Sequence, residues 1–359
     1  MHLKSLILAG VACVSAPVLA QTTPSAVPTT TATKPAFDKA DAEKAVTDLA
    51  AALEDNFVFP DAGKAYAVML RANLAKGSYA SFPDAQAFAD KVTDDLQAVH
   101  KDGHLRLRVA PAEQRGQAQA PNGGPDDAND VAKAGWLAPG VAYIEFTGFP
   151  GSEATLAEVR KFLAAHKDAK TLIIDARRNG GGGLAEMNLV FAEIFAQPTT
   201  LVAMDIRQAV EEKHGTPFDA NDPLMRRVSG PATIIRREHL AVPAAQQSGL
   251  KDAKVYLLTS KKTFSAAEHL SLSLKRTHRA TLVGEATGGG AHFGGMAPMG
   301  KGYAAFIPVG RTFDPDTGQS WEGTGVAPDV AVPAEKALDE ALRLAGVSLN
   351  GQAALASLK

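Results

Sequence analysis

Ser265 stands where Val255–Leu258, a run of β-suited apolar residues, gives way through a turn to Ala266-Ala267-Glu268 and the apolar positions Leu270, Leu272 and Leu274. The pattern is strand, sharp turn, helix. A hydroxyl at a helix N-terminus meets free N–H groups and the positive end of the helix dipole, both of which favour a developing negative charge. That suits a nucleophile. Ser-x-x-Glu is also a capping box, in which the serine does no chemistry, and these residues alone leave both readings open. A second glycine-rich turn, Asp175-Ala176-Arg177-Arg178-Asn179-Gly180-Gly181-Gly182-Gly183, follows a buried strand and precedes a helix. Its glycines let backbone N–H groups approach a ligand closely, and an oxyanion or a phosphate would suit that place equally. The stretch lacks a Gly-Lys-Ser/Thr ending and the spacing of a dinucleotide fingerprint, which weighs against phosphate; a plain sharp turn is the simplest alternative. Three more residue types could transfer or hold a proton. His104 lies in Lys101-Asp102-Gly103-His104-Leu105, His292 follows a further glycine loop, and Glu322 lies in a turn-rich segment. A lone histidine or an exposed carboxylate usually does no chemistry, so these matter only if the fold carries them to Ser265.

The elements that must do the positioning fall into two grammars. Residues 37–110 read as a small bundle of three helices, with Ala45, Val46, Leu49 and Leu53, then Ala65, Val68 and Met69, then Phe88, Val92 and Leu96 at helical spacing; Leu105–Val109 alternates as a strand. Residues 111–134 are polar and read as a surface loop. From 135 to 346 strands alternate with helices: strands at Val141–Phe146, Thr171–Asp175, Leu201–Ile206 and Ala280–Val283, helices at Glu153–His166 and Leu184–Phe195. This predicts an α/β core. Residues 207–250 suggest a hairpin or lid, and 347–359 a C-terminal tail.

The chain has 359 residues and a formal net charge of −2, with no basic block of the kind that binds nucleic acid. Its single cysteine, Cys13, excludes an internal disulfide and a zinc site built on thiolates. Residues 1–20 have the form of a secretory signal peptide: Lys4, an apolar core over 6–14, and Val18-Leu19-Ala20 before Gln21. Lipoprotein processing at Cys13 fits less well, because Gly10-Val11-Ala12 lacks a leucine. Residues 21–36, rich in Thr, Pro and Ala, read as a disordered linker. Beyond the leader nothing approaches the ~20 apolar residues of a membrane span, so the expectation is a soluble chain exported to the periplasm or the medium.

From His104 onward four motifs occur in a particular order: Asp-x-Arg-x-Asn-x-Gly-Gly at 175–182, Thr-Phe-Ser-Ala-Ala-Glu at 263–268, Ala-Thr-Leu-Val-Gly-Glu at 280–285 and Gly-Val-Ala-Pro-Asp at 325–329. In these the chain resembles the tail-specific, or carboxyl-terminal processing, serine peptidases, a group that includes tricorn protease and the modules of interphotoreceptor retinoid-binding protein. The resemblance implies a crotonase-like β/β/α superhelical core, peptide or protein substrates, and no metal or cofactor. It implies Ser265 as nucleophile, with the backbone N–H groups of Gly181 and Ala266 as oxyanion hole. The processing peptidases draw their base from a lysine at the position held here by Gly290. Tricorn protease instead uses a histidine and a glutamate at positions matching His104 and Glu322, with a serine where this chain has Gly103. His292 is the alternative base, and otherwise a residue lining the substrate cleft. The stretch 111–134 is far short of the ~80–100 residues a PDZ domain would want, and the retinoid-binding modules make a non-catalytic binder, or a small-substrate esterase, the rival readings.

Overall fold

The computed structural model describes residues 35–110, 129–216, 218 and 222–358. The expected leader, most of the linker and most of the 111–134 loop lie outside them. Three helices open the described chain: α1 (Lys39–Asn56), α2 (Pro60–Ala75) and α3 (Ala85–Val99). Their starts are written locally. Asp38 and Asp84 each cap a helix by accepting an N–H three residues on, at 2.9 and 2.8 Å, and Pro60 occupies the first position of α2. The apolar stripes do not close on one another alone. Leu49, Phe57, Tyr66, Phe88 and Leu96 share one core with Leu107, Tyr303, Ala305 and Ile307 from strands of the first sheet.

That sheet is antiparallel throughout. It runs in the order β1 (Leu107–Val109), β11 (Tyr303–Phe313), β5 (Thr199–Arg207), β7 (Ile234–Ala241), β6 (Met225–Val228), with β10 (His292–Pro298) also paired to β11. The β6–β7 pair is the hairpin expected in 207–250, preceded by the short helix α6 (Gln208–His214). The β10 and β11 strands were not legible in the sequence. Gly294, Gly295, Pro298, Pro308 and Gly310 break the alternation that marks a strand, and β10 is bulged at Phe293/Gly294.

The second sheet runs β12 (Val330–Ala331), β9 (Thr281–Gly284), β8 (Lys254–Thr259), β4 (Thr171–Asp175), β3 (Val141–Phe146) in parallel, closed by antiparallel β2 (Val131–Ala138). The β2 strand begins inside the stretch expected as loop. Period-2 geometry splits these near-continuous apolar strands between two cores. Ala142, Ile144, Leu172, Ile174 and Leu257 face helices α4 (Glu153–Ala165), α5 (Ala185–Ile194) and α7 (Ala266–Arg276). Tyr143, Ile173, Tyr256 and Leu258 face α8 (Ala337–Leu344) and α9 (Gly351–Ala356). The C-terminal stretch is therefore a packed helix, with Ala354 fully buried, rather than a loose tail. No helix among the described residues is long and apolar enough to cross a membrane.

One buried polar cluster joins the layers. His239 on β7 has Nε2 2.8 Å from Asn188 Oδ1 on α5, and Nδ1 2.8 Å from His269 Nε2 on α7. With Asn188 Oδ1 as acceptor, His239 carries its proton on Nε2 and accepts at Nδ1 from His269 Nε2–H, so its ring is neutral, and burial favours the neutral form of His269 as well. Burial pulls His239 down to about 3 and His269, with the neighbouring His239 adding to the effect, well below its usual value. An unfolded histidine titrates near 6.5. Below that pH the unfolded chain therefore binds protons that the folded chain refuses, and stability falls as pH drops. Melting temperature should decline steadily on acidification from pH 7 to pH 4; a flat profile in thermal melts across that range would contradict the buried neutral pair.

Candidate active site

Three neighbouring parallel strands deliver three loops to one edge of the second sheet. The β4 strand ends at Asp175 and feeds the glycine turn, β8 ends at Thr259 and feeds Ser265, and β9 ends at Gly284 and feeds the loop to His292. Ligand sites in such sheets lie at the carboxyl ends of the strands. The first two loops are laced together: Phe264 N–H donates to Asn179 O at 3.0 Å, Thr263 Oγ1 to Ala176 O at 2.8 Å and Ser260 Oγ to Arg177 O at 2.6 Å. Arg177 is itself fixed by the buried Asp175, with Nε 2.9 Å from Oδ1.

Ser265 has φ 56° and ψ −119°, one of two positive-φ residues other than glycine among those described. Holding a residue with a Cβ there costs about 1–3 kcal/mol, a strain that clusters at functional sites. Glu268 sustains it. Its Oε2 accepts the Ser265 N–H at 2.8 Å, while the Glu268 N–H donates to the Ser265 carbonyl at 2.8 Å. The Glu268 side of the capping box is thus formed around a strained serine backbone. Glu268 is fully buried and reaches further, accepting from Thr287 Oγ1 at 2.6 Å and from Gly289 and Gly290 N–H at 2.7 and 2.8 Å. Burial raises its pKa, against the pull of these four donors.

Gly181 lies directly against the serine. At φ 102° it takes a backbone conformation that favours glycine, and an added Cβ would be 2.7 Å from Ser265 Cβ and 3.0 Å from Ala266 N. Its N–H, however, donates to Asn179 Oδ1 at 2.8 Å. Of the two donors expected for an oxyanion, only the Ala266 N–H lacks an acceptor among the described residues.

His104 arrives from the α3–β1 connection. Its ring packs on Phe264, at a centroid distance of 4.7 Å, and on Phe306 of β11, at 4.8 Å. The ring's Nδ1 is buried without a hydrogen-bond partner. Burial is the chief cause of a pKa lowered to about 4; His292 and two arginines push the same way and Asp102 opposes them. This replaces the value near 6.5 expected for an unperturbed imidazole. Gly290 explains the lysine position. A Cβ there would meet Phe264 Cζ at 2.3 Å and His104 Cε1 at 2.7 Å, so the two rings together fill the space a side chain at 290 would need. Gly103 is equally confined, its Cβ direction ending 2.8 Å from Gly289 O.

Glu322 does not hydrogen-bond the His104 ring. Its Oε1 accepts from Gly103 N–H at 2.6 Å, and its Oε2 from Ala291 and His292 N–H at 2.6 and 3.1 Å. His292 does not line an open cleft either: it is 3% exposed, packed on Phe57 and Phe59, with Nδ1 2.7 Å from Asp102 Oδ2. Asp102 Oδ1 accepts the N–H groups of His104 and Leu105, each at 2.8 Å. Burial alone would raise the Asp102 carboxyl, but the His292 hydrogen bond and charge and the two N–H groups hold it below its ordinary value. The donor atoms of Asp102, His292 and Glu322 lie within 4.8 Å of one another, a spacing that could hold an ion. All four carboxylate oxygens and the His292 Nδ1 are already engaged, so the cluster works as a polar staple between the His104 segment and the β9–β10 loop. Sequence reasoning missed Asp102, Phe264, Phe306, Asn179 and the wider role of Glu268. Glu268 had a local signal in the capping box, and Asn179 and Phe264 lie inside the quoted motifs; Asp102 and Phe306 had none.

Solved structures share this arrangement of elements. A Parabacteroides merdae protein described as a candidate peptidase is 18% identical, with a TM-score of 0.53 over 90% of this chain and 97% of that one. A lipoprotein from Streptococcus agalactiae is 15% identical, with a TM-score of 0.51 over 85% and 96%. Tricorn protease is 14% identical, with a TM-score of 0.51 over 89% of this chain and 36% of its own. The fold is thus that of the serine peptidases this chain resembles. The family model for Peptidase family S41 matches residues 140–332, and that for the N-terminal domain of Peptidase_S41 in eukaryotic IRBP matches residues 38–134. The chain belongs to peptidase family S41, and it is a serine-type peptidase.

The confinement of Gly290 has a measurable consequence. Gly290→Ala should lower kcat at least tenfold by displacing His104 or Phe264, with a destabilisation of about 1–3 kcal/mol typical of overpacking. Steady-state kinetics with wild-type turnover in that variant would show that the ring position is unimportant.

Proposed function

We propose that the chain hydrolyses peptide bonds through Ser265 and His104, with Glu322 supporting the base indirectly. Ser265 Oγ attacks the scissile carbonyl while His104 takes its proton; the imidazolium then gives that proton to the leaving amine, and water, deprotonated by the same ring, releases the acyl group. The oxyanion draws on the Ala266 N–H, and on the Gly181 N–H once that donor is released by, or shared with, Asn179 Oδ1. Catalytic hydrogen bonds are often completed only when substrate is bound. One observation carries the reading: the His104 ring packs on Phe264, the residue preceding the strained Ser265, and the two rings together fill the space in which a side chain at Gly290 would have to lie. Glu322 acts through the backbone, holding Gly103 and the β9–β10 loop on either side of the imidazole.

Ser265→Ala and His104→Ala should each lower kcat by roughly 10⁴-fold or more, because nucleophile and base act as one unit. The base must be neutral, so kcat/KM should be lost as pH falls through a value near 4. Wild-type turnover in His104→Ala, with loss in His292→Ala, would hand the role to His292. Turnover unchanged in Ser265→Ala would show that Ser265 is not the nucleophile.

We also infer export, on the leader-like residues 1–20. The mature chain should begin at Gln21; N-terminal sequencing of an exported fraction that finds Met1 intact, or a lipidated Cys13, would contradict this.

A further inference from the structure

We infer that Phe306 and Phe264 position the base, filling the role a carboxylate partner fills in other serine hydrolases. This rests on the assignment of His104 as the base. A catalytic imidazole needs something to fix its plane and something to stabilise the positive charge it gains on taking the serine proton. Among the described residues no carboxylate accepts from the His104 ring, and its Nδ1 is buried and unpartnered. Glu322 and Asp102, the nearest candidates, are spent on backbone N–H groups and on His292. The ring is instead held face to face with Phe306, at 4.8 Å and an interplanar angle of 28°, and against Phe264 on its other contact, at 4.7 Å and 41°.

Two glycines keep this slot open. A Cβ on Gly290 would strike both Phe264 and His104, and one on Gly103 would come within 3.2 Å of Phe264. The slot is thus formed by four separate segments that agree in shape. Aromatic faces are negative at their centres, so they attract an imidazolium lying over them. The proton leaving Ser265 Oγ therefore resides on a cation stacked on Phe306 and packed against Phe264 until the amine leaves with it. The charged groups that bear on this ring are Asp102, Arg106 and Arg108 of its own segment and His292 of β10; Glu322 reaches it only through Gly103.

The test is a pair of substitutions at Phe306, which is only partly buried. Phe306→Leu keeps an apolar strand residue and removes the π-face; Phe306→Tyr keeps the face. Phe306→Leu should lower kcat about tenfold with KM within about twofold, and should move the acid limb of kcat/KM further down, because the ring stays buried while a face that favours its charged form is lost. Phe306→Tyr should keep the wild-type kcat and limb. An NMR titration of His104 Cε1 reads the same shift without turnover. Wild-type kcat and limb in Phe306→Leu, or equal damage in Phe306→Tyr, would overturn the inference. If Phe306→Leu does not fold, Phe306→Met carries the same comparison. His104→Ala is measured alongside: full activity there removes the base itself, whereas its loss beside a normal Phe306→Leu removes only the positioning role.

Discussion

The buried carboxylate of Glu268 is the constraint on which the site depends. It is fully enclosed, yet it accepts four hydrogen bonds, one from Ser265 and three from the loop spanning Thr287 to Gly290. Hydrogen bonds to a charged group are worth about 1.5–3 kcal/mol each, and a buried charge stripped of them is strongly destabilising. The strained backbone of the serine and the position of Gly290 are therefore set by a single side chain. Moving either loop would leave that carboxylate short of donors.

A second carboxylate extends the same logic to the far side. Glu322 arrives from the β11–β12 connection and ties Gly103 to Ala291 and His292, while Asp102 ties the His104 segment to His292. The His104 segment and the Ser265 turn, far apart in the chain, are thereby referred to the same loop, one on each side of it. This division suits chemistry. The carboxylates act on the backbone, and the proposed base is left in an apolar slot where burial keeps it neutral. A neutral imidazole is the form that accepts a proton, so the environment favours the reactive state across the mildly acidic range.

Much of this was legible in the sequence, and the limits have physical causes. Parallel strands such as Thr171–Asp175 and Lys254–Thr259 are apolar on both faces and end in turns, the first of them glycine-rich, so they announce themselves, and with them the places of Gly181 and Ser265. The three N-terminal helices carry clear stripes and Asp caps. The β10–β11 pair carries no such mark, because its glycines and prolines serve close approach and bulging rather than alternation. Phe306 sits on one of those strands, so its place beside His104 could not be read from the chain. Nor could the bonding of Glu322 and His292. Residue types identify groups able to transfer a proton, but a backbone N–H satisfied by a distant carboxylate leaves no trace in spacing. The donor of Gly181 shows the same limit, since Asn179 competes for it two residues away.

The central claim is that Ser265 is a nucleophile activated by His104. The most direct measurement is labelling of the purified chain by a fluorophosphonate, followed by peptide mapping and a comparison of rates. The account predicts one adduct, on Ser265, formed quickly by the native chain and at least a hundredfold more slowly by His104→Ala. An adduct elsewhere, or equal labelling of Ser265 with and without the imidazole, would contradict it.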